Sequence, residues 1–165
     1  MRTISIFIFL LATALLPAST AIAQEYQHPS GKFSFEIPTG WSVTNEDAVG
    51  VTIATPSHVG SVNFRADPFP FLPYETERRV NNSADSIRQI VFARKGVVHD
   101  TKIIALDGLY ALKMVCSFPP PSALANFTNI FFMRNNYKFN IAFSSNDPQD
   151  FPAIDEIVKS FRCKT

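Results

Sequence analysis

Hydrophobic positions alternate with polar ones along much of this chain. Phe33, Phe35 and Ile37 alternate with Ser34 and Glu36, the period of a strand with one buried and one wet face. Pro38 cannot donate to a sheet ladder, so the strand ends there or lies on an edge. Gly40 permits the positive φ of a turn, and Trp41, the only tryptophan, reads as an aromatic plug behind it. Val51–Ala54 and Val59–Arg65 read as a short hairpin around Thr55-Pro56-Ser57-His58. Strands are predicted over Val97–Leu106 and Leu109–Phe118, joined by Asp107-Gly108, and over Phe127–Arg134 and Tyr137–Ser144, joined by Asn135-Asn136. Asp-Gly is a strong two-residue hairpin signal because a type I′ turn needs positive φ at both positions. In the last strand Tyr137, Phe139, Ile141 and Phe143 share one face, opposite Lys138, Asn140, Ala142 and Ser144.

Two segments change period. Val80, Ala84, Ile87, Ile90 and Val91 form one helical stripe. That helix is predicted to begin near Tyr74 or Glu75, or near residue 82, and to stop at Arg94-Lys95-Gly96. A closing helix over Pro152–Phe161 carries Ile154, Ile157, Val158 and Phe161 inward, with Asp150 as its cap. The fold class is therefore α+β, an antiparallel β-sheet flanked by helices.

The first 23 residues stand apart. Met1-Arg2-Thr3 is a positive start, Ile4–Leu16 is apolar and uncharged, and Ala21-Ile22-Ala23 offers small residues at a cleavage site. This is the layout of a secretory signal peptide, cleaved after Ala23, which leaves residues 24–165 as a single domain. The expected location is periplasmic or secreted, with no stable membrane anchor after cleavage. The apolar stretch is short for a spanning helix, which needs about 20 such residues.

The order of elements, and above all Phe33-x-Phe35-x-Ile37-Pro38-x-Gly40-Trp41, resembles the PsbP-like superfamily, which includes bacterial periplasmic proteins similar to DcrB. The closing Lys159-Ser160-Phe161 adds to the likeness. The resemblance implies an α/β/α sandwich and a non-enzymatic accessory or binding role. Plant members assist photosystem II, and a eukaryotic relative of the fold binds a small GTPase. No functional residue carries over from them by a motif.

Composition narrows the chemistry. Fifteen Lys and Arg against fourteen Asp and Glu give a net charge of +1, which argues against general nucleic-acid binding. His28, His58 and His99 have no metal-ligand spacing, and the six glycines form no phosphate-cradling loop. No cofactor, metal site or catalytic residue is expected, although Asp47, Asp67, Asp100, Asp107 and Asp155 lie far enough apart in sequence to meet in space as an unrecognised hydrolase site. Cys116 and Cys163 are an even count in an exported chain, which favours a disulfide over two free thiols. Such a bond would stabilise by about 4 kcal/mol on chain-entropy grounds.

The best recognition candidate is the Asp67–Tyr74 loop. Three prolines stiffen it, and Phe69, Phe71 and Tyr74 are aromatic anchors on that rigid backbone. Phe118-Pro119-Pro120-Pro121-Ser122 is a second rigid loop. The expected partner is an envelope protein, or else a small apolar ligand held in a cavity lined by some of the sixteen phenylalanines.

Overall fold

The computed structural model describes residues 23–120 and 126–164. The signal segment before residue 23, and Pro121-Ser122 of the second rigid loop, lie outside the described residues. Ten strands and two helices follow in the order β1 (Gln24–Gln27), β2 (Phe33–Ile37), β3 (Ser42–Glu46), β4 (Gly50–Ala54), β5 (Gly60–Pro68), α1 (Thr76–Ala93), β6 (Val97–Leu106), β7 (Leu109–Ser117), β8 (Asn126–Arg134), β9 (Tyr137–Ser145), α2 (Asp150–Ser160) and β10 (Arg162–Cys163). They make a seven-stranded sheet, β3-β4-β5-β9-β8-β7-β6, and a three-stranded sheet, β1-β2-β10. Every strand pair is antiparallel.

The large sheet divides the interior into two cores. On one face Val62 and Phe64 of β5, Ile130 and Phe132 of β8, and Phe139, Ile141 and Phe143 of β9 meet β2 and α2. On the other, Leu112, Met114 and Cys116 of β7 and Phe131 and Met133 of β8 meet Val80, Ala84 and Val91 of α1. The architecture is an α+β sandwich, with α1 on one side and α2 plus the small sheet on the other. The phenylalanines expected to line a cavity pack on one another. Phe35 and Phe64 stack at 4.1 Å between centroids and Phe132 and Phe139 at 4.8 Å, with Phe161 edge-on to the second pair.

The predicted turns form as their chemistry requires. Asp107 (φ 49°) and Gly108 (φ 73°) both take positive φ, as do Asn135 (49°) and Asn136 (63°), the signature of type I′ hairpins. Gly40 sits at φ 87° and the Trp41 N–H closes on the Pro38 carbonyl at 3.1 Å, a type II arrangement. Trp41 is half-buried against the first core.

The structure decides between the two predicted starts of α1 and corrects other expectations. α1 takes its earlier predicted start, preceded by a 3-10 turn over Pro73–Glu75. Asp150 is the first residue of α2 and not its cap, which is Gln149; its carboxylate instead accepts a hydrogen bond from Ser145 Oγ at 2.5 Å. β5 continues through Asp67 and Pro68. A proline is tolerated there because β4 pairs no further than Arg65, so its missing N–H breaks no ladder bond on that side. Cys116 and Cys163 do not form the expected disulfide. Both are free and buried, Cys116 in the core under α1 and Cys163 in the core under α2. The sheet lies between them, because β10 turns Cys163 towards Phe33 of β2.

Candidate functional site: the proline–phenylalanine corner and its groove

The segment from Pro68 to Glu75 turns a corner between β5 and α1. The Phe69 N–H donates to the Asn136 carbonyl at 2.7 Å, so the corner is pinned to the β8–β9 turn. At its far end the Glu75 N–H closes on the Leu72 carbonyl, and Glu75 Oε2 accepts from the Leu72 N–H at 3.2 Å. That backbone donor, with Arg79 and Arg78 beside it, holds the Glu75 carboxyl below its usual range.

The three predicted anchors do not share one presented surface. Phe69 and Phe71 are half-buried and pack against the core under α1. Tyr74 projects, 82 % exposed, and Leu72 beside it is 52 % exposed. Proline fixes the backbone path but not the side to which each aromatic turns. Leu72 was missed because an isolated leucine between two prolines carries no periodic signal.

Phe69 also closes one end of a groove of about 480 Å³ between α1 and the large sheet. α1 covers β6, β7 and β8, so the wet faces of β5 and β9 stay open beside it. Arg65 lies opposite Asn140, and Asp67 opposite Lys138, in the β5–β9 register. The wall is the side of α1 carrying Arg79, Asn82, Ser83 and Ser86, with Ile87 and Ile90 beyond. The Arg79 guanidinium and the Lys138 ammonium lie 5.7 and 5.8 Å from the centre of the Phe69 ring, within cation–π range. Arg65 bonds Asp67 at 3.1 Å and Asp47 at 3.4 Å. The backbone N–H of Val49, then that of Gly50 and the Arg65 charge, keep the Asp47 carboxyl low. Arg79 lines the groove, and its Nε is buried without a hydrogen-bond partner among the described residues.

The carboxylates proposed to meet do so only in part. Asp47 and Asp67 share Arg65, Asp100 pairs with Lys102, and Asp107 pairs with Arg134. Two histidine–serine contacts occur, His28 Nδ1 with Ser30 Oγ and His99 Nε2 with Ser117 Oγ, each at 2.7 Å. His28 is buried in a turn. His99 is exposed on an outer strand, and no carboxylate bonds it among the described residues. A nucleophile needs a base that a third group orients; the Asp47 and Gly50 backbone carbonyls hold His28 Nε2 at 3.1 and 3.2 Å, and no carboxylate bonds either imidazole among the described residues. Among the described residues no three His, Cys, Asp or Glu side chains converge to hold a metal ion, and no helix is long and apolar enough to cross a membrane.

No protein-family model and no curated protein sequence matches the chain. Its structure is similar to that of cyanobacterial PsbP (CyanoP) from Synechocystis sp., with a TM-score of 0.65 at 10 % identity over 92 % of this chain and 98 % of that one. It is also similar to the Ran-binding protein Mog1p of Saccharomyces cerevisiae, with a TM-score of 0.58 at 7 % identity over 87 % and 96 %. The fold is PsbP-like.

Proposed function

We propose that the protein is an exported, non-enzymatic accessory protein of the cell envelope that acts through protein–protein contacts centred on the proline–phenylalanine corner. The observation that carries this reading is the pairing of a fixed backbone with exposed apolar side chains. Phe69, Phe71 and Asn136 anchor the corner, while Tyr74 and Leu72 face solvent. A preset backbone lowers the ordering cost of binding, and tyrosine is a favoured interface anchor. That the Ran-binding protein Mog1p has a similar fold supports a protein partner. Export is supported by the signal-like layout of the sequence up to Ala23.

Capture from the native envelope tests the reading. A Leu72→Ser/Tyr74→Ser protein should lose the partner that the unaltered protein retains, and equal recovery would overturn the assignment to the corner. N-terminal sequencing of the mature protein tests export, with Gln24 expected and a retained Met1 counting against it.

A further inference from the structure

β6 is the outer strand of the seven-stranded sheet. β7 pairs with one side of it, and no described element pairs with the other. It runs ten residues, against five for β3 at the opposite edge. Leu106 and Leu109 flank the two-residue turn at Asp107-Gly108, and the pair flanking such a turn exchanges hydrogen bonds. Alternation then directs the backbone of Leu106, Ile104, Lys102 and Asp100 towards β7, and that of Ala105, Ile103 and Thr101 outwards. The bulge in β6 falls between Val98 and Asp100, at the edge of this regular stretch. An outward row of N–H and C=O groups is a template for another strand.

The side chains indicate which strand fits. Asp100 and Lys102 lie on one face, 3.8 Å apart and about half exposed. Lys102 is also directly opposite Lys113 of β7, a like-charge pair that disfavours the sheet. A neighbouring strand with a carboxylate opposite Lys102 relieves that repulsion, and β6 itself supplies one.

We propose that the protein self-associates through β6, two copies pairing antiparallel about a two-fold axis at Thr101. Thr101 then exchanges backbone hydrogen bonds with Thr101 of the second copy. Asp100 of each copy lies opposite Lys102 of the other, in the non-hydrogen-bonded positions where facing side chains come closest. Ile103, 62 % exposed in the single chain, lies diagonal to the second copy's Thr101 and within reach of it. The contact is isologous and closes on itself. An axis at Ile103 would set Asp100 against Leu106 and Lys102 against Ile104, leaving the charges unmatched. An axis at Lys102 would aim its inward-facing backbone at the wrong neighbour.

A single strand pair buries less than the roughly 1,200 Å² of standard stable interfaces. The dimer is therefore weak, concentration-dependent and favoured by low salt.

Charge exchange tests it in sedimentation experiments on the purified protein. The Asp100→Lys chain carries two lysines at the contact and the Lys102→Asp chain two aspartates. Each alone should self-associate roughly tenfold more weakly than the unaltered protein, while an equimolar mixture should recover its affinity. Monomeric behaviour of the unaltered protein up to millimolar concentration would overturn the proposal. So would single variants that associate as well as the unaltered protein, or a mixture no tighter than its components. Mild oxidation of a Thr101→Cys protein should cross-link two copies faster than oxidation of Ile103→Cys, and the reverse order would overturn the register.

Discussion

Cys116 and Cys163 lie on opposite faces of the seven-stranded sheet, each buried in a different core. A disulfide between them would have to pass through a layer of paired backbone. Denatured, unreduced protein should therefore titrate with two free thiols, and reductant should leave the melting temperature unchanged. Finding no free thiol would contradict this arrangement.

The same burial sets a pH dependence. Burial raises the Cys116 thiol and pushes Cys163 up to about 11 from an ordinary value of 9.0, against the opposing Arg134 guanidinium. Above pH 9 the unfolded chain gives up a proton that native Cys163 keeps, so the unfolded state binds fewer protons and stability falls as pH rises. Cys163's contribution is intact below that point and declines between about 9 and about 11. Urea midpoints should drop more steeply over this range for the unaltered protein than for Cys163→Ala. Parallel pH profiles would show that Cys163 does not contribute.

Phe64 of β5 ties the large sheet to β2 and α2. Its ring stacks on Phe35 at 4.1 Å and on Phe161 at 5.8 Å, and it is fully buried. Phe64→Ala removes contacts to β2 and to the end of α2 at once. Truncation of a buried phenylalanine costs about 3–5 kcal/mol, and chemical denaturation should report a loss of that size. A loss under about 1 kcal/mol would mean that the two layers are not held together by this stack.

Much of this fold was legible because its long strands announce themselves. β9 alternates along its length, and Asp107-Gly108 and Asn135-Asn136, which take positive φ at both positions, mark the hairpins that join β6 to β7 and β8 to β9. β1, β3 and β10 were not legible. They are two to five residues long, and Ser42–Glu46 is exposed throughout, so partners rather than burial define them. The groove was half legible. Lys138 and Asn140 fall on the wet face of β9 by alternation alone. Setting Arg65 and Asp67 beside them requires the β5–β9 register, which local sequence does not encode.

His28 bridges the small sheet and the β3–β4 turn. Its Nδ1 accepts the Ser30 N–H at 3.2 Å, while Nε2 faces the Asp47 and Gly50 carbonyls at 3.1 and 3.2 Å. Carbonyl oxygens only accept, so the hydrogen sits on Nε2. The nitrogen-15 spectrum should show this tautomer for His28. The opposite tautomer would mean that the bridge to Asp47 and Gly50 is not formed.

The corner separates anchoring from presentation, and stability measurements should separate them too. Tyr74 is exposed, so Tyr74→Ser should change stability by no more than about 0.5 kcal/mol. Phe69 packs on the core under α1 and holds Arg79 and Lys138 beside its ring. Phe69→Ala should therefore destabilise by about 1–3 kcal/mol, below the cost of a fully buried ring. Equal effects of the two substitutions would place both aromatics on the same side of the corner.

Gly60 opens β5 where no side chain fits. A Cβ built there would lie 2.7 Å from Asp150 Oδ2, 2.8 Å from Thr55 Cγ2 and 2.9 Å from Ser145 Oγ. None of these neighbours moves freely. Thr55 and Ser145 are buried, the Thr55 hydroxyl accepts the Gly60 N–H at 3.2 Å, and Ser145 Oγ binds Asp150 at the start of α2. A methyl group would push the first turn of α2 away from the sheet or break the Ser145–Asp150 bond. Overpacking of this kind costs about 1–3 kcal/mol. Gly60→Ala should thus lower the urea midpoint, and Gly60→Ala/Ser145→Ala, which removes one of the crowding atoms, should recover part of the loss relative to Ser145→Ala alone. Strict additivity of the two substitutions would show that the hydroxyl is not what excludes the methyl group.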